Sequence, residues 1–258
     1  MIDLYLSTIG TDAAALAREY GLGIEIAEFS YAVNMDTDFP HWDEIVRANI
    51  AGIERRIFHA PFNDLCPAAL DPLVLEVTRR RFAQAYKLMQ GYGIHKMVVH
   101  SGYLPRMHYK SWFAAHSVDF WREFLSGKPP DFLLALENVM EEDPDMLLEI
   151  VEKTGDPRFQ LCLDIGHAGA YFSHKPVSHW IETAAPYLGH VHVHNNYHEV
   201  DTHNEPGDGL IDMKAALTRI AELRPNVTYT LETQNMIASV EWMKSNGFIE
   251  PGRGSAEK

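Results

Sequence analysis

The sequence predicts a single (β/α)8 TIM barrel with its active site at the C-terminal rim of the strands, and three observations predict it. Eight short apolar runs alternate with eight helical segments. Six of those runs close on, or near, a histidine or carboxylate. No Ser/Gly/Pro-rich linker, low-complexity run or block of like charge divides the 258 residues, a length common for one such barrel. An open doubly wound sheet is the structural runner-up, but no dinucleotide-type glycine signature supports it. The barrel is expected over residues 1–250, with a polar, flexible C-terminal tail at 251–258.

Taken in order, residues 2–6 form the first strand, and Thr11 is expected to cap a helix that stops at Gly21. Residues 23–27 form the second. The connection 28–41 holds Phe29, Tyr31, Met35 and Phe39, and reads equally as a lid or as a surface loop tucking in its own aromatics. A helix from about Trp42 leads to strand 56–59. Asp71-Pro72 supplies a cap and a proline at the first helical position for a long helix to about Tyr92. Strand 96–100, a helix over 109–125 and strand 132–137 follow. Asp143-Pro144 is expected to repeat the cap device before strand 160–164. A helix over 177–187, the histidine strand, a helix from Asp212 to Leu223, strand 228–232 and a last helix to Asn246 complete the eight units.

The run from His190 to Asp212 carries the densest set of candidate metal ligands. His190-Val191-His192-Val193-His194 alternates imidazole and valine, the period-two pattern of a strand whose faces meet different surroundings. The valines should face an apolar layer and the histidines a polar centre. A lone histidine in a strand is more often a hydrogen-bonded core residue than a ligand; three in alternation, followed by Asp201 and His203, reverse that expectation.

His59, His100, Glu137 and Asp164 close strands three to six, His192 lies near the end of the seventh, and Glu232 closes the eighth. In a barrel these positions look into one mouth. Two residues earlier, Ile57, Val98, Ala135, Cys162, His190 and Thr230 have the inward parity and mostly suit a packed interior. Any one terminal acid or histidine taken singly is a cap or a solvated end. Six at one rim, with Asp164 and His167 in Asp-x-x-His spacing, are not. Converging carboxylates without a cation repel one another and raise their own pKa values, so a divalent metal is the economical explanation.

With 22 basic against 36 acidic residues, the net charge of −14 opposes a polyanionic partner, so no nucleic acid is expected. Cys66 and Cys162 are the two cysteines, too few and too far apart for a disulfide framework or a thiolate knuckle, which suits a reducing cytoplasm. Neither a signal peptide nor a bilayer-spanning apolar run is present, so a cytoplasmic protein with no membrane partner is expected. The oligomeric state is left open, a homo-oligomer included.

The motifs HAPFND at 59–64, HSG at 100–102, EN at 137–138, DIGH at 164–167, HVHNN at 192–196, DTHNEPGDG at 201–209 and ET at 232–233 resemble the xylose isomerase-like barrel superfamily over nearly the whole chain. That superfamily includes endonuclease IV, inosose dehydratase and the ketose 3-epimerases. The resemblance to the epimerases implies one divalent cation on Glu137, Asp164, His192 and Glu232, with His167 on the substrate. The resemblance to endonuclease IV implies a three-zinc set of His59, His100, Glu137, Asp164, His167, His192, Asp201, His203 and Glu232. His192 rather than His194 is taken as the ligand, because its spacing to Asp201 and His203 fits the shorter loops of the non-nuclease members. Asn195 stands where the DNA enzymes carry aspartate, and Thr202 where they carry arginine. The substrate-binding arginine of the epimerases is missing, with Tyr197 and His198 nearby. These departures argue against a DNA substrate and against a close match to a free-ketose epimerase.

The expected protein is therefore a divalent-metal-dependent isomerase or epimerase acting on a small carbohydrate, cyclitol or sugar phosphate. Glu137 and Glu232 are the acid/base pair, and His167, Asn63, Asn138, His194 and Asn195 the substrate contacts. The cofactor is zinc, manganese or magnesium, one to three ions per chain. The alternative is a multinuclear zinc hydrolase using all nine ligands on a small phosphoester. A binding module with a purely structural metal ranks last, because structural zinc sites close with four ligands.

Overall fold

The computed structural model describes residues 1–198 and 201–250, so the expected tail at 251–258 lies outside the described residues. Strands β1 (Asp3–Ser7), β2 (Gly23–Ile26), β3 (Arg56–His59), β4 (Lys96–His100), β5 (Leu133–Glu137), β6 (Phe159–Asp164), β7 (Leu188–Val193) and β8 (Thr228–Leu231) form one closed barrel in sequence order. Every neighbouring pair is parallel, and β8 returns to β1 with Leu4 opposite Tyr229. The helices are α1 (Ala13–Tyr20), α2 (Phe39–Ile50), α3 (Pro72–Gly91), α4 (Lys110–Leu125), α5 (Asp145–Thr154), α6 (Ile165–Ala168), α7 (Val177–Ala184), α8 (Met213–Leu223) and α9 (Met236–Ser245). No helix among the described residues is long and apolar enough to cross a membrane.

Strand parity builds two cores. Leu4, Leu6, Ile24, Phe58, Val99, Leu136, Val191, Val193 and Leu231 point outward and are buried against the helices. Tyr5, Ile57, Val98, Ala135 and Cys162 point inward and form a separate apolar layer within the barrel. Both valines of the histidine strand belong to the outer core, as its alternation required. Phe29 is fully buried, stacked 6.1 Å from Phe58 and 6.2 Å from Tyr92. The connection after β2 thus tucks in an aromatic, and Ala32–Met35 within it forms a 3-10 turn.

Several boundaries differ from the sequence expectation. Thr11 is not a cap: Asp12 precedes α1, and its side chain makes no capping bond. Gly21 does end that helix, at φ 66°. Asp71 caps α3 by accepting from Leu73 N at 2.8 Å, and Asp212 caps α8 through Ala215 N at 3.0 Å. Before α5 the cap position falls on Pro144, while Asp143 accepts from Asp145 N. Helix α2 begins at Phe39, three residues before Trp42. The single-turn α6 was not foreseen; it exists because Asp164 turns its carboxylate back onto His167 N at 2.6 Å.

Candidate metal centre

The inward-facing ends of β5 to β8 bring Glu137, Asp164, His192 and Glu232 to one point, with their ligand-type atoms mutually within 4.8 Å. Parallel pairing sets this up: Asp164 lies opposite His192, and Val193 opposite Leu231, so Glu232 follows directly. His192 Nδ1 lies 3.1 Å from Glu232 Oε2, 3.3 Å from Glu137 Oε1 and 3.8 Å from Asp164 Oδ2. None of these approaches has hydrogen-bond geometry: His192 Nδ1 and both Glu137 oxygens are buried without a hydrogen-bond partner among the described residues. Orphaned buried polar atoms are costly. The orphaned atoms of Glu137 and His192, converging with the carboxylates of Asp164 and Glu232, fit a divalent cation, which would satisfy them together.

Partners behind the cluster aim it. His192 Nε2 meets Glu25 Oε1 at 3.1 Å, which leaves Nδ1 facing the carboxylates. Glu25 is itself buried inside the barrel, and its second oxygen is shared by His190 and Thr230. Sequence reading missed Glu25. Its signal was the Gly-Ile-Glu-Ile run of β2, where an acid between two isoleucines has inward parity. Asn138 holds Asp164 like a strand neighbour, donating to its carbonyl at 3.0 Å and accepting from its N–H at 2.8 Å.

Two further groupings flank the centre. His59 and His100 each place Nε2 3.5 Å from Glu137 Oε2, and Phe62 stacks on the His100 ring at 4.1 Å. On the other side His167, His194, Asp201 and His203 converge. Asp201 Oδ2 lies 3.0 Å from both His167 Nε2 and His203 Nε2. The opposite nitrogens of these rings face backbone carbonyls, of Asn138 for His167 and of Glu232 for His203. His203 reaches this position from a backbone at φ 48°, in the left-handed region.

Burial favours the neutral acid at Glu137, yet the His192 ring more than offsets it and holds the carboxyl well below its usual range. Glu232, also buried, is nonetheless pulled down to about 2 by His192. At His203 burial works against protonation, but Asp201 and Glu232 push the ring up to about 9. Burial draws His100 down to about 4. The glutamates are therefore held as carboxylates, whereas the same acids favour protonated rings at His192 and His203, so a cation bound there would displace protons.

All nine residues named as ligands fall in these groupings: His59, His100 and Glu137 share Glu137 with the central four, His59 also meets His192 and Glu232, and His167, Asp201 and His203 stand apart with His194. The expected substrate contacts fare differently. Asn63 is exposed on the connection after β3. Asn138 spends its amide on Asp164. Asn195 is not placed to bind substrate: its Oδ1 accepts from Asn196 N and Ile211 N, and its Nδ2 donates to the carbonyls of Pro206 and Ile211, so every valence is used in bracing the loop. His194 lies past the end of β7 and is fully buried, with Nε2 2.9 Å from Asp164 Oδ1 rather than open to the mouth. His167, also named as a substrate contact, is buried between Asn138 and Asp201.

Comparison with known proteins agrees with this architecture. A solved D-tagatose 3-epimerase-like protein superposes with a TM-score of 0.77 at 22% identity, covering 95% of this chain and 97% of that one. The TTHB071 protein of Thermus thermophilus, solved after soaking with ZnCl2, gives 0.73 at 21% identity over 96% and 98%. The uncharacterized protein MJ1311 of Methanocaldococcus jannaschii is 26% identical over 194 residues, which is 72% of this chain and 66% of that relative, so the chain spans just under two thirds of its length. The model of the xylose isomerase-like TIM barrels matches residues 12–246. With a match over most of its length and a closed eight-stranded barrel carrying this ring of histidines and carboxylates, the chain belongs to the xylose isomerase-like TIM-barrel family.

Proposed function

We propose that this protein is a divalent-metal-dependent isomerase or epimerase that moves a proton on a carbon next to a carbonyl in a small carbohydrate, cyclitol or sugar phosphate. The observation that carries this reading is the pair Glu137 and Glu232. They reach one centre from β5 and β8 and approach the same His192 nitrogen at 3.3 and 3.1 Å. A cation held by Glu137, Asp164, His192 and Glu232 would neutralise negative charge developing on the substrate carbonyl oxygen. One glutamate, ionised, takes the proton as the C–H bond breaks. The other, anionic in the free protein, takes up a proton from solvent as substrate binds and delivers it to the opposite face, and the two exchange roles in the reverse direction. The likeness to a D-tagatose 3-epimerase-like protein supports a sugar substrate, and the zinc-soaked relative supports a divalent cation. Two free cysteines suit work in a reducing cytoplasm.

The test is solvent exchange. Metal-loaded enzyme in D2O, offered ketoses, cyclitol ketones and their phosphates, should wash one deuterium into the carbon beside the carbonyl of a turned-over substrate. Hydrolysis of phosphoesters with no exchange into any of these compounds would sink the proposal. It would favour the hydrolase reading, which rests on the His59, His100 and Glu137 grouping beside the centre. The net charge of −14 also leads us to expect no binding to duplex DNA bearing an abasic site at physiological salt. Salt-sensitive binding in a filter assay would reverse that.

A further inference from the structure

We infer that His194 is a fourth protein ligand at the flanking group of His167, Asp201 and His203, closing it into a structural zinc site. The inference rests on the divalent-metal reading of the barrel mouth but concerns a separate ion. His194 is fully buried, and its Nδ1 has no hydrogen-bond partner among the described residues. That nitrogen faces Asp201, 3.6 Å from Oδ1, while the other ring nitrogen is taken up by Asp164. The four ligand-type atoms of the group are mutually within 4.8 Å, and the two imidazole contacts to Asp201 are 3.0 Å. Ligands about 2.0 Å from a tetrahedral zinc stand about 3.3 Å apart, so a small inward adjustment suffices. The His194 and His203 rings lie face to face, 4.1 Å apart at 17°, so both present an edge to the same space. Room for the ring is reserved: a Cβ on Gly166 would collide with it.

Three imidazoles and one carboxylate suit zinc, and four protein ligands leave no open position for water or substrate. The ion would bind the connection after β7, through Asp201 and His203, to α6 through His167. A second metal equivalent in this protein is then structural and does not by itself indicate a hydrolase.

The test uses the full chain, metal-stripped and then titrated with Zn2+ and with Co2+. His194→Gln keeps a donor for Asp164 and deletes the Nδ1 ligand; His194→Asn keeps an atom near Nδ1 and loses the Asp164 contact. Wild type should take up two equivalents by elemental analysis, the second site giving the intense visible bands of tetrahedral cobalt. His194→Gln should lose those bands and weaken the second equivalent by more than about 100-fold, beyond what loss of an outer-sphere partner does. His194→Asn should retain more of that affinity. Glu137→Gln should affect only the other equivalent. Unchanged second-site affinity in His194→Gln, six-coordinate cobalt spectra, or a single equivalent that tracks Glu137 alone would each overturn the inference and leave the isomerase reading standing. Two equivalents, neither of them sensitive to Glu137→Gln, would sink that reading instead.

Discussion

The central cluster and its neighbour around Asp201 use the same residue types in inverse proportion: three carboxylates and one imidazole in the first, three imidazoles and one carboxylate in the second. The difference begins in the backbone. Glu137, Asp164 and His192 stand on β5 to β7 and Glu232 directly follows β8, whereas Asp201 and His203 stand on a connection and His167 on the one-turn α6. Rigid strands suit a centre that must keep its geometry while substrate exchanges. A connection gains from an ion that holds it in place. Hard oxygen donors in the first cluster suit a six-coordinate cation with positions left for substrate, and the nitrogen-rich second suits zinc.

The largest effect should come from Glu137→Gln. Losing the carboxylate while keeping its volume should lower turnover by about 10²- to 10⁴-fold, with the far-UV circular dichroism spectrum unchanged. Near wild-type turnover in purified protein would erase the functional difference between the clusters. Next is removal of metal. Each tightly held ion, at a free concentration about 100 times its dissociation constant, adds about 2.7 kcal/mol. Chelation should therefore lower the melting temperature by roughly 5–10 °C per site at this chain length. Differential scanning fluorimetry during stepwise chelation should resolve two increments, and one smooth loss would mean that the clusters do not act independently.

A smaller effect is expected at Glu25→Gln, which keeps a polar partner for His192 Nε2 but removes the charge behind it. Affinity at the central cluster should fall by about 10- to 100-fold, read by competition with a chromophoric chelator, and the neighbouring cluster should be indifferent. A weakening of both would show that Glu25 supports the barrel as a whole. Gly166→Ala should act the other way round. Its Cβ displaces the His194 ring at a cost of about 1–3 kcal/mol, visible as a lower melting temperature and a weaker second equivalent. Equal disturbance at Glu137 and Asp164 would merge the two regions into one unit.

By itself, the sequence determined the barrel, the inward parity of the strands and the rim on which the candidate ligands sit. Those are local properties: alternation in His190–His194 or Leu133–Glu137 assigns a face wherever the strand ends up, and eight such units close in only a few ways. It could not decide which rim residues share a centre. His192 and His194 are separated in the chain by Val193 alone, yet register and connections put His192 with Glu25, Glu137 and Glu232, and His194 with Asp201, only Asp164 being shared between them. Asn195 and His194 looked alike as polar neighbours of a ligand. Only the tertiary structure showed the first spending its amide on Pro206, Ile211 and Asn196, and the second turning one nitrogen to Asp164 and the other toward Asp201. A hydrogen-bond partner distant in sequence leaves no trace in local pattern, and it is such partners that decide whether a buried polar atom is satisfied or left to bind an ion.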